Sequence, residues 1–226
     1  MTRVIAGEAG GRRLAVPAGR DTRPTSDRAR EGLFASISSI VGPLTGKRVL
    51  DLSAGSGAVG LEALSRGAEH VLLVESGGPA LRVIRANVES LGLSGAEVAA
   101  DRVERLLARG PAAVHRPHDS RDGLPHDRRD GLPHDRPDGQ RYDIVFADPP
   151  YATPDSDVAA MLGALAANGW LAAGALVVVE RASRSGPPRP KAQADSTLRW
   201  PAGYQPARAR KYGEATFWYG LAPGAQ

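Results

Sequence analysis

Arg48-Val49-Leu50-Asp51-Leu52-Ser53-Ala54-Gly55-Ser56-Gly57-Ala58-Val59-Gly60 is the stretch that decides the fold. An apolar, β-branched run ends in small residues, so the pattern predicts a strand, a tight loop and a helix, the helix running from about residue 59 to 66 and stopping at Gly67. The glycines at 55, 57 and 60 satisfy G-x-G-x-x-G, and Glu75 lies 20 residues past Gly55 at the end of a second apolar run, Val71 to Glu75. Glycines there let the backbone approach a ligand closely, and a carboxylate on the second strand end can accept both hydroxyls of a ribose. That geometry serves any adenosine cofactor.

Asp51 narrows the choice. A carboxylate four residues before Gly55 repels a pyrophosphate but attracts the ammonium and sulfonium of S-adenosyl-L-methionine. The candidate cofactor-binding residues are therefore Asp51, the loop Ala54, Gly55, Ser56 and Gly57, and Glu75, with Asp101 after the third strand as an acceptor for the adenine amine. The competing roles are structural: Asp51 capping the adjacent loop, Glu75 a solvated strand-end acid, Asp101 an N-cap for a helix over residues 103 to 107.

Further along the chain, Leu81, Ile84, Val88 and Leu91 fall at helical spacing and predict an amphipathic helix over residues 79 to 91. A short strand near Val98 follows. Residues 117 to 140 then repeat one unit three times, PHDSRDGL, PHDRRDGL and PHDRPDGQ, which carries too little apolar surface to offset chain entropy. A disordered, low-complexity insert is expected over 111–140, and its histidines, lacking a scaffold, are expected to hold no metal. Order returns with the buried-type strand Tyr142 to Ala147, a helix over about 156–167, a strand Ala175 to Glu180, and a hairpin of Arg208 to Tyr212 with Ala215 to Leu221. Alternating strands and helices imply an α/β fold, a mostly parallel, doubly wound sheet with an antiparallel C-terminal hairpin. Residues 1–46 are expected as a short N-terminal RNA-binding extension and 47–226 as the catalytic domain.

Composition sets the surroundings. There is no cysteine, so neither a disulfide framework nor a thiolate metal site is available. No apolar run is long enough to span a bilayer, and a cytoplasmic, monomeric enzyme without membrane contact is the expectation. Charge is unevenly divided: residues 1–48 carry nine Lys/Arg against four Asp/Glu, residues 49–180 carry 12 against 19, and residues 181–226 carry eight against two. An acidic centre between basic ends suits an enzyme that holds a small cation and grips a phosphate backbone at its flanks.

Asp148-Pro149-Pro150-Tyr151 supplies the chemistry. The lone pair of a base amine is delocalised into the ring. If the Asp148 carboxylate and the Pro149 carbonyl each accept one N–H, the nitrogen can pyramidalise toward a sulfonium methyl. Prolines hold these acceptors stiffly, and Tyr151 offers a face for a base drawn from its stack. Asp148, Pro149 and Tyr151 are thus the candidate catalytic residues. A Pro-rich turn with a packing tyrosine is the structural alternative.

The chain resembles the RsmD family of 16S rRNA guanine-N2 methyltransferases, within the class I Rossmann-like methyltransferases. The likeness rests on Arg3-Val4-Ile5-Ala6-Gly7, on Gly11-Arg12-Arg13-Leu14, on Arg23-Pro24-Thr25-Ser26-Asp27-Arg28-Ala29-Arg30-Glu31, on the glycine loop and the helix after it, on Asp148-Pro149-Pro150-Tyr151 and on Lys211-Tyr212-Gly213. It implies S-adenosylmethionine as donor, the N2 amine of a guanine in 16S rRNA as acceptor, and a partly or fully assembled small ribosomal subunit as substrate. It also implies Arg12, Arg13, Arg23, Arg28 and Arg30 as RNA-facing residues, with helix-surface pairing such as Asp27 to Arg30 as the alternative. Ser53 departs from the family, which usually has a bulky aromatic there, and Ser76-Gly77-Gly78 replaces more charged residues. Methylation of adenine N6 or of a protein glutamine would use the same four-residue motif. A nicotinamide oxidoreductase leaves Asp51 and Asp148 without roles, and a silent RNA-binding assembly factor leaves Asp148 and Tyr151 unexplained.

Overall fold

The computed structural model describes residues 2–17, 26–113, 141–183 and 198–224. Two short strands, β1 (Thr2–Arg3) and β2 (Arg13–Leu14), pair antiparallel, and α1 (Asp27–Val41) follows. Strands and helices then alternate: β3 (Arg48–Leu52), α2 (Ala58–Ser65), β4 (His70–Glu75), α3 (Gly78–Leu91), β5 (Ala96–Ala100), α4 (Val103–Arg109), β6 (Tyr142–Ala147), α5 (Asp155–Ala167) and β7 (Leu171–Ala182). The hairpin β8 (Gln205–Tyr212) and β9 (Ala215–Leu221) closes the series. Seven strands form one sheet in the order β5-β4-β3-β6-β7-β9-β8. The first five run parallel, β9 lies antiparallel to β7, and β8 pairs with β9 at the edge. The chain leaves β3 toward β4 on one side while β6 pairs on the other, so the switch point of the sheet lies at the carboxyl ends of β3 and β6.

Pleating sorts the side chains into two cores. Val49, Leu73, Phe146, Val178 and Phe217 face one side, and Leu50, Leu72, Val145 and Val177 face the other beneath α4 and α5. The first core also takes in Val4, Ala9, Leu14, Ala29, Leu33 and Phe34. The N-terminal segment expected as an extension is therefore built into the catalytic core. Glu62, buried in α2, fastens it by accepting the Ile5 N–H at 2.6 Å, the Ala6 N–H at 3.0 Å and Arg66 Nε at 2.7 Å.

Arg30 is a correction to the expected RNA-facing set. Its side chain is fully buried, and its guanidinium donates to Thr2 Oγ1 at 2.7 Å, to the Arg3 carbonyl at 2.6 Å and to Asp27 Oδ1 at 2.8 Å. This guanidinium stitches α1 to β1 away from solvent through its two terminal nitrogens, while its buried Nε has no hydrogen-bond partner among the described residues. The expected insert is corrected at its start, because Pro111–Ala113 form a 3-10 turn and Pro111 is buried. Residues 114–140, which carry the repeated octapeptide, lie outside the described residues. β7 begins at Leu171, earlier than the pattern suggests. Its register against β6 shifts between Tyr142 and Ile144, and Gly174 adopts φ 67° in that irregularity, where a sequence reading sees a strand break.

α2 packs closely because Gly60 faces the sheet. A Cβ at that position would sit 2.5 Å from Leu73 Cδ2 and 2.7 Å from Val71 Cγ1, inside any real contact distance. Gly60→Ala is expected to push α2 off β3 and β4 at a cost of about 1–3 kcal/mol. A urea titration showing unchanged stability would contradict this packing.

Candidate active site

β3 ends at Leu52, and the chain turns at once through Ser53, which adopts φ 64° in the left-handed region. A serine there costs on the order of 1 kcal/mol, so the turn is enforced by its surroundings. The Ala54 N–H reaches the Val74 carbonyl at 2.9 Å, which ties the loop to β4. Gly55 (φ 58°) and Gly57 (φ 77°) complete the turn into α2. A Cβ on Gly55 would meet nothing within 4 Å, so the backbone lies open to a ligand there, whereas Gly57 packs toward Leu61 and Ile84.

Beside this loop is a cavity of about 480 Å³ whose wall includes Asp51, Ser53, Ala54, Gly55, Ser56, Glu75, Asp148, Pro149 and Tyr151. The structure thus brings together the glycine loop, two strand-end acids and the Asp-Pro-Pro-Tyr segment. Asp51 stands one row below the end of β3, opposite Leu73 and Phe146, and is 1% exposed. Its Oδ2 accepts the Gly60 N–H at 2.9 Å. Burial pushes its carboxyl up to about 7, the Gly60 hydrogen bond opposing and the charge of Glu75 adding to the rise. Glu75 accepts the Gly55 N–H at 3.0 Å on Oε2 and the N–H groups of Ser76 and Gly77 on Oε1, which orients the carboxylate at the loop.

Asp148 follows β6, and its N–H donates to the Leu52 carbonyl at 3.3 Å, so the motif starts against the end of β3. Burial, then the charges of Glu180 and Asp51, push its carboxyl up to about 8. Pro149 is buried, while Tyr151 is 48% exposed, one of the large hydrophobic groups the fold leaves in solvent. Arg181 anchors the segment from β7 by donating to the Thr153 carbonyl at 2.8 Å and to Asp155 Oδ1 at 3.0 Å.

Glu180 is a site neighbour that the sequence did not single out. Val179 pairs with Ala147, so the next residues, Glu180 and Asp148, stand side by side on one face of the sheet, and Glu180 is 4% exposed. Only the register across β6 and β7 shows it; along the chain it reads as an ordinary strand-end acid. Val16 and Pro17 also reach the cavity, which no pattern in the N-terminal segment signals.

Asp101 is placed elsewhere. It is absent from the cavity wall, which passes through Arg102, Val103 and Glu104 instead. Its Oδ1 accepts the Arg102 N–H at 2.8 Å and Arg105 Nε at 2.5 Å, and its Oδ2 accepts from Arg109. Burial opposes its charge, but hydrogen bonds from Arg105 and Arg102 and the charges of Arg105 and Arg109 outweigh that and hold its carboxyl low. As an adenine acceptor Asp101 is therefore corrected: its carboxylate serves the start of α4. Arg12, Arg13 and Arg28 are exposed. Arg12 donates to the carbonyls of Leu91 and Ser90 at the end of α3, and Arg23 lies outside the described residues.

A family model described as "Conserved hypothetical protein 95" matches residues 2–119 and 115–220. The chain belongs to this family. It is the RsmD family that the motifs resemble. Among its relatives, "Ribosomal RNA small subunit methyltransferase D" of Escherichia coli (strain K12) is 33% identical over 186 residues, covering 82% of this chain and 77% of that protein. YlbH of Bacillus subtilis (strain 168) is 44% identical over 93 residues, a match that spans 41% of this chain and 48% of that one. A solved structure of a hypothetical protein from Thermus thermophilus superposes with a TM-score of 0.67 at 33% identity, covering 99% of both chains. The parallel sheet with its antiparallel C-terminal pair is the class I methyltransferase fold.

Asp51 and Asp148 hold protons more tightly in the fold than in the unfolded chain. Their contribution to stability is complete below the ordinary carboxylate range and is lost as pH rises toward about 7 and about 8. Thermal melts of the ligand-free protein are expected to fall across that window. Asp148→Asn should flatten the fall and add about 1–2 kcal/mol at the alkaline end; a variant that loses stability with pH as steeply as the wild type would refute the assignment.

Proposed function

We propose that the chain transfers a methyl group from S-adenosylmethionine to the exocyclic N2 of a guanine in the 16S rRNA of the small ribosomal subunit. What carries the proposal is one cavity wall on which Asp51, the glycine loop and Asp148-Pro149-Pro150-Tyr151 meet. The donor supplies an electrophilic methyl on a sulfonium. Asp51 fits its cationic end, because a buried carboxylate that is costly to ionise alone is relieved by a neighbouring cation. The open backbone at Gly55 admits the nucleoside, and Glu75 presents its carboxylate for the ribose.

Asp148 and the Pro149 carbonyl would each accept one N–H of the guanine amine, turning its lone pair toward the methyl. With the methyl supplied from the sulfonium and the thioether as leaving group, Asp148 would take the excess proton from the nitrogen. A carboxyl pushed up to about 8 is matched to that task near neutral pH. Tyr151, half in solvent, would stack on the base. Exposed Arg13 and Arg28 suit backbone phosphates, and they favour RNA over a protein amide.

Purified protein with labelled donor should methylate small subunits prepared from cells that lack the modification, and nucleoside mass spectrometry should find N2-methylguanine in the 16S rRNA. N6-methyladenine or an unlabelled rRNA would overturn the proposal. Asp148→Ala should lower kcat at least about a hundredfold while leaving the donor Kd nearly unchanged, and an equal loss of both would contradict its role.

A further inference from the structure

α1 and the edge strand β8 enclose an open groove of about 410 Å³ away from the active-site cavity. Gly32 and Ser36 line it from the helix, and Arg208, Arg210, Lys211 and Tyr212 line it from the strand. Packing fixes its shape: a Cβ on Gly32 would lie 2.3 Å from the Tyr212 ring, so only glycine lets the helix approach this closely. The Tyr212 ring in turn packs 5.6 Å from that of Phe217, centre to centre.

Strand alternation aims Arg208 and Arg210, whereas Lys211, paired with Thr216 on the other face, borders the groove at the sheet edge. Arg208 pairs across the hairpin with Tyr219 and Arg210 with Phe217, and both aromatic partners belong to the core on the face that carries Asp51 and Asp148. Arg210, Phe217 and Glu180 form one cross-strand row, and Glu180 stands beside Asp148. Three strand spacings separate Arg210 from Asp148, about 14 Å, which a nucleic-acid strand rising about 3.4 Å per nucleotide covers in about four nucleotides.

Several exposed arginines elsewhere are neutralised, Arg3 by Asp27, Arg102 by Glu104, Arg105 and Arg109 by Asp101. Among the described residues no carboxylate forms an ion pair with Arg208, Arg210, Lys211 or Arg28, which sits one turn before Gly32 on α1. Glu31 is the acid on the same stretch of helix, and it is absent from the groove lining. An edge strand with alternate cations at a spacing of about 7 Å presents guanidinium forks at intervals that suit successive phosphates.

We propose that this groove is a phosphate rail, in which Arg208, Arg210 and Lys211 hold the RNA backbone that leads to the base at Asp148, with Arg28 extending the rail along α1. The proposal rests on the rRNA substrate argued above. It adds a grip at the β8 edge of the sheet, reached from the N-terminal segment across α1.

The test is binding of the full chain to a 16S rRNA transcript, and to small subunits lacking the modification, over a series of potassium chloride concentrations. Arg208→Ala/Arg210→Ala/Lys211→Ala should lower the slope of log affinity against log salt by about 2–3 and raise KM for subunits at least about tenfold. Its kcat, donor Kd and melting temperature should match the wild type, and Arg208→Lys/Arg210→Lys should restore most of the slope. An unchanged slope and KM in the triple variant, with wild-type protein active, would overturn the rail alone. A change with subunits but none with the bare transcript would assign the groove to a protein partner and also overturn it. Wild-type protein that binds neither substrate would overturn the rRNA proposal itself.

Discussion

The hydrogen bond from the Gly60 N–H to Asp51 Oδ2, 2.9 Å long and shut off from water, joins the two halves of this structure. It closes the loop between β3 and α2, and it fixes a carboxylate where charge is costly. A side chain on Gly60 would break the packing of α2 on β4, and α2 in turn carries the buried Glu62 that fastens the N-terminal segment. From the same few residues follow the open backbone at Gly55, the strained turn at Ser53 and the cavity they border. A buried acid here is poor economy for stability and good chemistry for a cation.

Carboxylates accumulate on one face of the sheet at its carboxyl edge. Asp51, Glu75, Asp148 and Glu180 come from the ends of four adjacent strands, β3, β4, β6 and β7; Glu75 raises the cost of ionising Asp51, and Glu180 and Asp51 raise that of Asp148. Such a field repels a pyrophosphate and favours a sulfonium, so the choice of donor is made by the sheet as a whole. The opposite sign governs the rim. Arg13, Arg28 and the β8 cations stand on elements that flank this acidic edge, an arrangement that suits the proposed RNA substrate.

The repeating αβ pattern was legible because period and glycine placement are local signals: the helix after the first loop spans Ala58–Ser65 and the amphipathic one Gly78–Leu91, within a residue of the expected limits. The cavity was legible where a residue's position along its own strand decides its place, as for Asp51, Glu75 and Asp148. What failed depended on distant partners. Asp101 has the spacing of an adenine acceptor, but Arg105 and Arg109, one and two turns along α4, take its oxygens. Arg30 belongs to an arginine-rich run, yet the pairing of β1 with β2 closes Thr2 and Arg3 around it. Glu180 was invisible because strand register is not written in a single strand.

Asp51 is a buried carboxyl that ionises reluctantly until a cation lies beside it. Titration calorimetry of S-adenosylmethionine at about pH 6.5, where the amine of the donor is already protonated, in buffers of different ionisation enthalpy, counts the protons exchanged. Binding is predicted to release protons from the wild-type protein, and the release should shrink in Asp51→Asn. Heats that do not depend on the buffer, or a net uptake of protons, would contradict it.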